Sequence, residues 1–193
     1  ISSINSIGAL CEATGADVRE VSRAIGTDSR IGAKFLDAGP GFGGSCFKKD
    51  ILNLVYLASY FGLNEVANFW ESVVKLNYWH QNRISRLIVK KLFGTLSNKK
   101  IAVLGFAFKA NTNDTRESAA IQICRDLLEE GAILNIYDPK VSKKQILKDL
   151  NVIGNDKTSK EELDQLTKCF ITDNIYEGFK DADAVLILTE WSE

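Results

Sequence analysis

Apolar positions recur with helical spacing through the first half of the chain. Ile4, Ile7, Leu10 and Cys11 fall on one face of a helix that Thr14-Gly15 brings to an end. Asp17 stands where it can cap a second, short helix from Val18 to Ile25. The stretch beyond it, through Gly26, Asp28, Gly32 and the run Gly39-Pro40-Gly41-Phe42-Gly43-Gly44, is the most irregular of the sequence and reads as a loop. Helical spacing resumes with Ile51, Leu54, Val55 and Ala58 as far as Gly62. A longer helix is predicted from about Asn64 to Phe93, carrying Val66, Phe69, Trp70, Val73, Ile84, Leu87 and Ile88.

The period changes at Leu96-Ser97-Asn98-Lys99-Lys100. Ile101-Ala102-Val103-Leu104 is a short, continuous apolar run of the kind that forms a strand buried on both faces of a parallel sheet. A helix from Ser118 to Glu130, with Ile121, Cys124, Leu127 and Leu128 inward, and a strand from Ile133 to Tyr137 then make a βαβ unit. Thr115 or Asp114 is the candidate N-cap of that helix. The polar stretch from Val141 to Leu166 holds a helix around Lys143 to Leu150, and strands are expected near Cys169 to Ile171 and from Ala184 to Leu188. The expected fold class is α/β, with a helical part ahead of a parallel sheet.

Composition narrows the function classes. Of 193 residues 45% are hydrophobic and 25% charged, which excludes a disordered or collagen-like chain. Lys and Arg number 24 against 25 Asp and Glu, a net charge of −1, so nothing favours coating nucleic acid or an anionic membrane. There is no signal-peptide pattern and no apolar run long enough to span a bilayer. Four cysteines without CxxC spacing and a single histidine support neither a zinc site nor a disulfide framework, so no metal and a reducing, cytoplasmic setting are expected. A chain that opens on Ile1 within a helical pattern and stops at Trp191-Ser192-Glu193, just past a strand, is expected to be a fragment.

Two segments carry candidate chemistry. The glycines of residues 39 to 44 permit positive φ and let a ligand lie against the backbone. Cys46 follows at the start of a helix, where unpaired N–H groups stabilise a thiolate, the nucleophilic form. Asp50 lies one turn on along the same face, and Lys48 and Lys49 add positive charge. That set pairs a nucleophile with an acid or base; an unreactive cysteine at a turn beside a solvated charge run satisfies the same residues. Gly105-Phe106-Ala107-Phe108-Lys109 follows the first strand, where open α/β sheets bind ligands, but its single glycine is not a GxGxxG fingerprint. Lys109 and Arg116, flanking Asn111-Thr112-Asn113-Asp114-Thr115, are candidates to hold phosphate, with a plain polar loop as the other reading. Asp138 stands where nucleotide folds place a ribose-binding acid, and an Asp-Pro turn explains it equally. On residue type alone Arg30 reads as a surface charge, His80 as packing or surface, and Phe69, Trp70, Tyr78 and Trp79 as a packing face. Cys11, Cys124 and Cys169 read as buried small hydrophobes.

Taken in order and spacing, Gly41 to Asp50, Gly105 to Lys109, Asp114-Thr115-Arg116-Glu117-Ser118, Tyr137-Asp138-Pro139-Lys140 and Thr189-Glu190-Trp191 resemble the UDP-glucose 6-dehydrogenases over the whole length of the chain. The resemblance implies an all-helical central dimerisation domain over residues 1–95 and a Rossmann-like, parallel-sheet UDP-binding domain, incomplete at its C-terminus, over residues 96–193. It implies NAD-dependent oxidation of the C6 alcohol of UDP-glucose to the carboxylate in two hydride transfers. Cys46 is then the nucleophile that carries a thiohemiacetal and a thioester, and Asp50 assists proton transfer and water activation. Substrate contacts are implied for Arg30, reaching across a subunit interface, for Ala38, Gly39, Pro40, Gly41, Phe42 and Gly43, and for Phe108 and Lys109. Cofactor contacts are implied for Cys46, Phe47, Lys48, Lys49 and Arg116. A homodimer or larger homo-oligomer is expected, with neither nucleic acid nor membrane as partner.

The family's NAD-binding domain and a catalytic lysine expected ahead of Ile1 are not in the sequence, so the chain alone is expected to be inactive. Asp37-Ala38-Gly39-Pro40 also departs from what relatives often carry. A dehydrogenase of GDP-mannose or of a UDP-N-acetylhexosamine, and a noncatalytic nucleotide-binding dimerisation module, are the alternatives that these residues leave open.

Overall fold

A computed structural model describes residues 1–151 and 167–192, so the part of the polar stretch from 152 to 166 lies outside the described residues. The chain forms two compact units, one of residues 1–42 with 46–81, the other of residues 43–45 with 82–193.

The first unit is helical: α1 (Ser2–Thr14), α2 (Val18–Gly26), α3 (Phe47–Tyr60) and the greater part of α4 (Asn64–Lys91). α1 stops at Gly15, whose φ of 79° suits a residue without a Cβ and whose N–H caps Cys11 O. Asp17 caps α2 by accepting the N–H of Arg19. The buried face of α1 is Ile4, Asn5, Gly8 and Cys11, whereas Leu10, expected inward, is 59% exposed. Gly8 and Asn5 turn inward because their neighbours lie close: a Cβ on Gly8 would meet Ala38, and the Asn5 amide bonds the glycine loop. On α3, Ile51 and Ala58 are buried and Leu54 is not. The core is small, Phe42, Ile51 and Val74 with Ile1, Val55, Trp70 and Val73 around it. Of the four aromatic residues expected to pack, Trp70 alone joins it; Phe69, Tyr78 and Trp79 are exposed.

The second unit is β1 (Lys100–Leu104), α5 (Ala119–Glu129), β2 (Ile133–Tyr137), α6 (Lys143–Asp149), β3 (Cys169–Ile171), α7 (Ile175–Phe179) and β4 (Ala184–Ile187), with the end of α4. The strands run parallel in the order β3-β2-β1-β4. Ile101, Ala102 and Val103 of β1 are fully buried, as a central strand with neighbours on both edges requires. Ile101 and Val103 share one core with Phe106, Ile123, Leu127, Leu134, Ile136 and Ile146. The inward face of α5 is Ala119, Ala120, Ile123, Cys124, Leu127 and Leu128, with Ile121 at its margin. Its N-cap is Ser118, which accepts the N–H of Ala120, and neither Thr115 nor Asp114. Both are otherwise engaged, the Thr115 hydroxyl donating to Asp149 and the Asp114 carboxylate accepting from Arg116. The helix α7 spans five residues, too few for periodicity to reveal.

Chain order leaves β1 for β2 and β3 on one side and returns to β4 on the other. The carboxyl end of β1 is therefore the switch point of the sheet, the place where open α/β sheets leave a crevice for ligand. Among the described residues no helix is long and apolar enough to cross a membrane.

Candidate active site

In the first unit the glycine loop is held by side chains from the helices. The Gly39 N–H donates to Asn5 Oδ1 at 2.9 Å, and His80 Nε2 lies 2.8 Å from Gly39 O. Asn77 engages both backbone groups of Phe42, accepting its N–H and donating to its carbonyl, each at 3.0 Å. Asn5, Asn77 and His80 are all buried, where an amide without partners would cost about 1–3 kcal/mol. Gly41 has φ 125°, and a Cβ there would stand 2.8 Å from Asn77 Oδ1. Of the residues with implied substrate contacts, Ala38 and Gly39 are exposed, Pro40 and Gly41 half-buried, and Phe42 buried with its ring 5.7 Å from that of Phe47.

Cys46 immediately precedes α3 and is exposed, while Cys11, Cys124 and Cys169 are buried; none is in a disulfide. Burial pushes the Cys124 thiol far up and the Cys169 thiol up to about 11. The Asp50 N–H donates to Cys46 O at 2.9 Å, which sets Asp50 one helical turn along, exposed in the first turn of α3. Phe47 and Lys49 are exposed, and Lys48 Nζ lies 5.2 Å from the centroid of the Tyr78 ring.

Arg30 is gripped by Asp28. Its Nε and Nη2 reach the two carboxylate oxygens at 3.0 and 2.6 Å, and its backbone N–H donates to Oδ1 at 2.9 Å. The guanidinium holds the Asp28 carboxyl below the ordinary carboxylate range, and Asp28 in turn raises Arg30.

The second unit repeats the device at Asp114 and Arg116, with Nε–Oδ1 2.9 Å, Nη2–Oδ2 2.7 Å and the Arg116 N–H on Oδ1 at 2.9 Å. In both places an aspartate two residues ahead caps the arginine's backbone and orients its guanidinium at the surface. The Asp-x-Arg spacing is the signal that would have found these aspartates. The asparagines on the glycine loop carry no such signal, because a lone Asn within a helical pattern is unremarkable.

Gly43 and Gly44 belong to this unit and pack on Phe108. A Cβ on Gly43 would stand 2.5 Å from Glu117 O and 2.9 Å from Phe108 Cβ; one on Gly44 would stand 2.9 Å from Phe108 Cε2. The Gly44 N–H donates to Arg116 O at 2.8 Å. The fold thus brings Gly43 to Phe108 and Arg116, expected site residues 65 and 73 positions further along the chain. Lys109 is exposed, its Nζ 5.4 Å from the Phe108 ring centroid.

Asp138 is an anchor and not a ribose acid. Its Oδ2 accepts the N–H groups of Phe106 and Ala107 at 2.7 and 2.9 Å and Trp191 Nε1 at 3.3 Å, and its Oδ1 accepts those of Lys140 and Val141 at 2.9 Å. A carboxylate offers about four acceptor sites, so these donors exhaust it. The amides after β1 that would face a pyrophosphate in a dinucleotide fold here face a protein carboxylate. Gly105, at φ 88°, has the space of a Cβ filled by Thr189, whose Oγ1 would be 2.5 Å away. This turn does not fit a dinucleotide. Phe47, Lys48 and Lys49 form the first turn of α3 in the first unit, and the exposed Arg116 side chain belongs to the second. Among the described residues no cluster of three His, Cys, Asp or Glu side chains is arranged to hold a metal ion.

Residues 1–79 match the central domain of the UDP-glucose/GDP-mannose dehydrogenase family, and residues 102–193 match that family's UDP binding domain. The whole chain is 52% identical to UDP-glucose 6-dehydrogenase 4 of Arabidopsis thaliana, and 99% of it is 55% identical to UDP-glucose 6-dehydrogenase of Gallus gallus. It spans 41% and 38% of those proteins' lengths. The structure of a UDP-glucose dehydrogenase from Pyrobaculum islandicum superposes with a TM-score of 0.81 at 32% identity, covering 99% of this chain and 40% of that one. A GDP-mannose dehydrogenase from Pseudomonas aeruginosa superposes with a TM-score of 0.61 at 25% identity, covering 99% of this chain and 41% of that one. With two consecutive domains of one family matched across nearly all of its length, this chain belongs to the UDP-glucose/GDP-mannose dehydrogenase family.

Proposed function

We propose that this chain supplies the nucleophile and the uridine-nucleotide-binding part of an NAD-dependent dehydrogenase that oxidises UDP-glucose to UDP-glucuronate. The observation that carries the reading is Cys46: of four thiols it alone is exposed, at the head of a helix that follows a glycine-rich loop. Relatives named UDP-glucose 6-dehydrogenase share half or more of its residues.

Taking an alcohol to an acid requires two two-electron oxidations with an aldehyde between them. NAD, when bound, accepts the hydride in each. The Cys46 sulfur adds to the aldehyde carbon to give a thiohemiacetal, which keeps the intermediate on the protein. Oxidation of that adduct gives a thioester, and water cleaves it to release the carboxylate and restore the thiol. Asp50 takes a proton as water attacks. Arg30, Ala38, Gly39, Pro40, Gly41, Phe42, Gly43, Phe108 and Lys109 contact substrate, and Cys46, Phe47, Lys48, Lys49 and Arg116 contact NAD. The reading includes self-association, supported by the exposed apolar side chains Leu57, Tyr60, Phe61 and Phe69 on α3, on α4 and between them.

The test has two parts. Calorimetric titration with UDP-glucose and GDP-mannose at matched ionic strength is expected to show UDP-glucose bound at least about tenfold more tightly, a gap of roughly 1.4 kcal/mol. Preference for GDP-mannose moves the assignment to that sister activity. In the full-length enzyme carrying this sequence, Cys46→Ala is expected to slow acid formation by on the order of 10³-fold or more, the scale on which removing a nucleophile acts. An unchanged rate removes Cys46 from the mechanism.

A further inference from the structure

The turn Gly105-Phe106-Ala107-Phe108-Lys109 leaves the central strand at the switch point of the sheet, and its backbone is held from both neighbouring strands. From the β2 side, Tyr137 O accepts the Gly105 N–H at 2.8 Å, and Asp138 Oδ2 accepts those of Phe106 and Ala107. From the β4 side, the Thr189 hydroxyl donates to Ala107 O at 2.7 Å, and Trp191 Nε1 steadies the same Asp138 oxygen. The next N–H, that of Phe108, donates to Asp114 O at 3.0 Å. Four successive amides are thereby committed within the protein. Phe106, Ala107 and Thr189 are almost wholly buried, while Lys109 is exposed.

This arrangement has a chemical consequence at a site for a nucleoside diphosphate. The turn cannot offer its amides to phosphate, because a carboxylate already lies against them. Recognition of the phosphates passes to cationic side chains, and Lys109 serves only where the turn places it. We propose that Asp138 and Thr189 are positioning residues for nucleotide binding, acting through the 105–108 backbone to hold Phe108 and Lys109 toward the nucleotide. The proposal rests on the reading of Phe108 and Lys109 as substrate contacts.

The test is a double-mutant cycle on UDP affinity, measured by calorimetry on the protein carrying this sequence. Lys109→Ala and Asp138→Asn are each expected to weaken UDP binding roughly tenfold, the scale of one charge-assisted hydrogen bond, and the double variant no further. If the two losses multiply to about a hundredfold, Asp138 does not act through Lys109 and the proposal is wrong. A second pair of variants guards against misfolding of Asp138→Asn. Thr189→Ser keeps the hydroxyl and is expected to bind UDP within about twofold of the unaltered protein, while Thr189→Val loses it and should bind several-fold more weakly at an equal thermal midpoint. Equal affinities in Thr189→Ser and Thr189→Val overturn the proposal on their own. Absence of UDP binding by the unaltered protein is a different failure: it removes the nucleotide reading of Phe108 and Lys109, and the positioning role with it.

Discussion

Solvent access sorts the four cysteines, and it does so in a way that a reagent can count. Cys46 is open to solvent while Cys11, Cys124 and Cys169 lie in cores, and the last two are further deactivated by burial. One thiol per chain is therefore expected to react with Ellman's reagent in the native protein, and three more only in denaturant; Cys46→Ser should abolish the fast phase and leave the slow one. A second fast thiol would contradict the burial of the other three. Asp114 titrates with a readable sign. Its side-chain hydrogen bonds to Arg116 hold the carboxyl below its ordinary value of 3.8, so its contribution to stability is complete above that pH and is lost as pH falls through the lowered folded value. Asp114→Asn is expected to lower stability slightly at pH 7, by well under about 1 kcal/mol because the pair is partly solvated, and the difference in thermal midpoint between the two proteins should shrink as the pH falls below 3.8. Two melting curves decide it. At this scale Cys46 and Arg116 were legible as candidates from the residues and Arg30 only through the family resemblance, while the aspartates that orient the two arginines were missed in that role although the Asp-x-Arg spacing marks both.

At the scale of elements, local chemistry placed most boundaries. Gly15 and Asp17 end and begin helices where they were expected to, and Ser118 caps α5. Replacing Ser118 by alanine removes the acceptor for the Ala120 N–H and is expected to cost about 1 kcal/mol, seen as a shifted urea midpoint with unchanged slope. No shift would mean that the helix start is held by its packing alone. Besides the N-cap of α5 and the short α7, the errors were of face and not of period. Leu10 sits outward because Asn5 and Gly8 occupy the inner side of α1, the one through its amide and the other through its lack of a side chain. Periodicity locates a stripe to within one residue; which edge of the stripe is covered depends on what lies against it.

For the whole molecule, two separate cores mean that the α/β unit carries most of the buried apolar surface and the helical unit little. The helical unit leaves the large apolar side chains of Leu57, Tyr60, Phe61 and Phe69 exposed. Sedimentation at micromolar concentration is expected to give a dimer or larger species, and Leu57→Glu with Phe69→Glu a monomer. A monomer from the unaltered protein would remove self-association from the proposed function.

By itself the sequence determined which segments become helix and strand, the short α7 excepted, where the βαβ unit begins, and which cysteine stands at a helix start after a glycine loop. These follow from periodicity, caps and positive-φ residues, all of which act over a few positions. Tertiary structure alone decided that Asp138 binds the β1 turn instead of a ribose, that Asn77 clasps Phe42, and that Thr189 reaches Ala107. The physical reason is range: the last two bonds join groups 35 and 82 positions apart, and a polar side chain's role is set by whichever buried donors the fold brings to it.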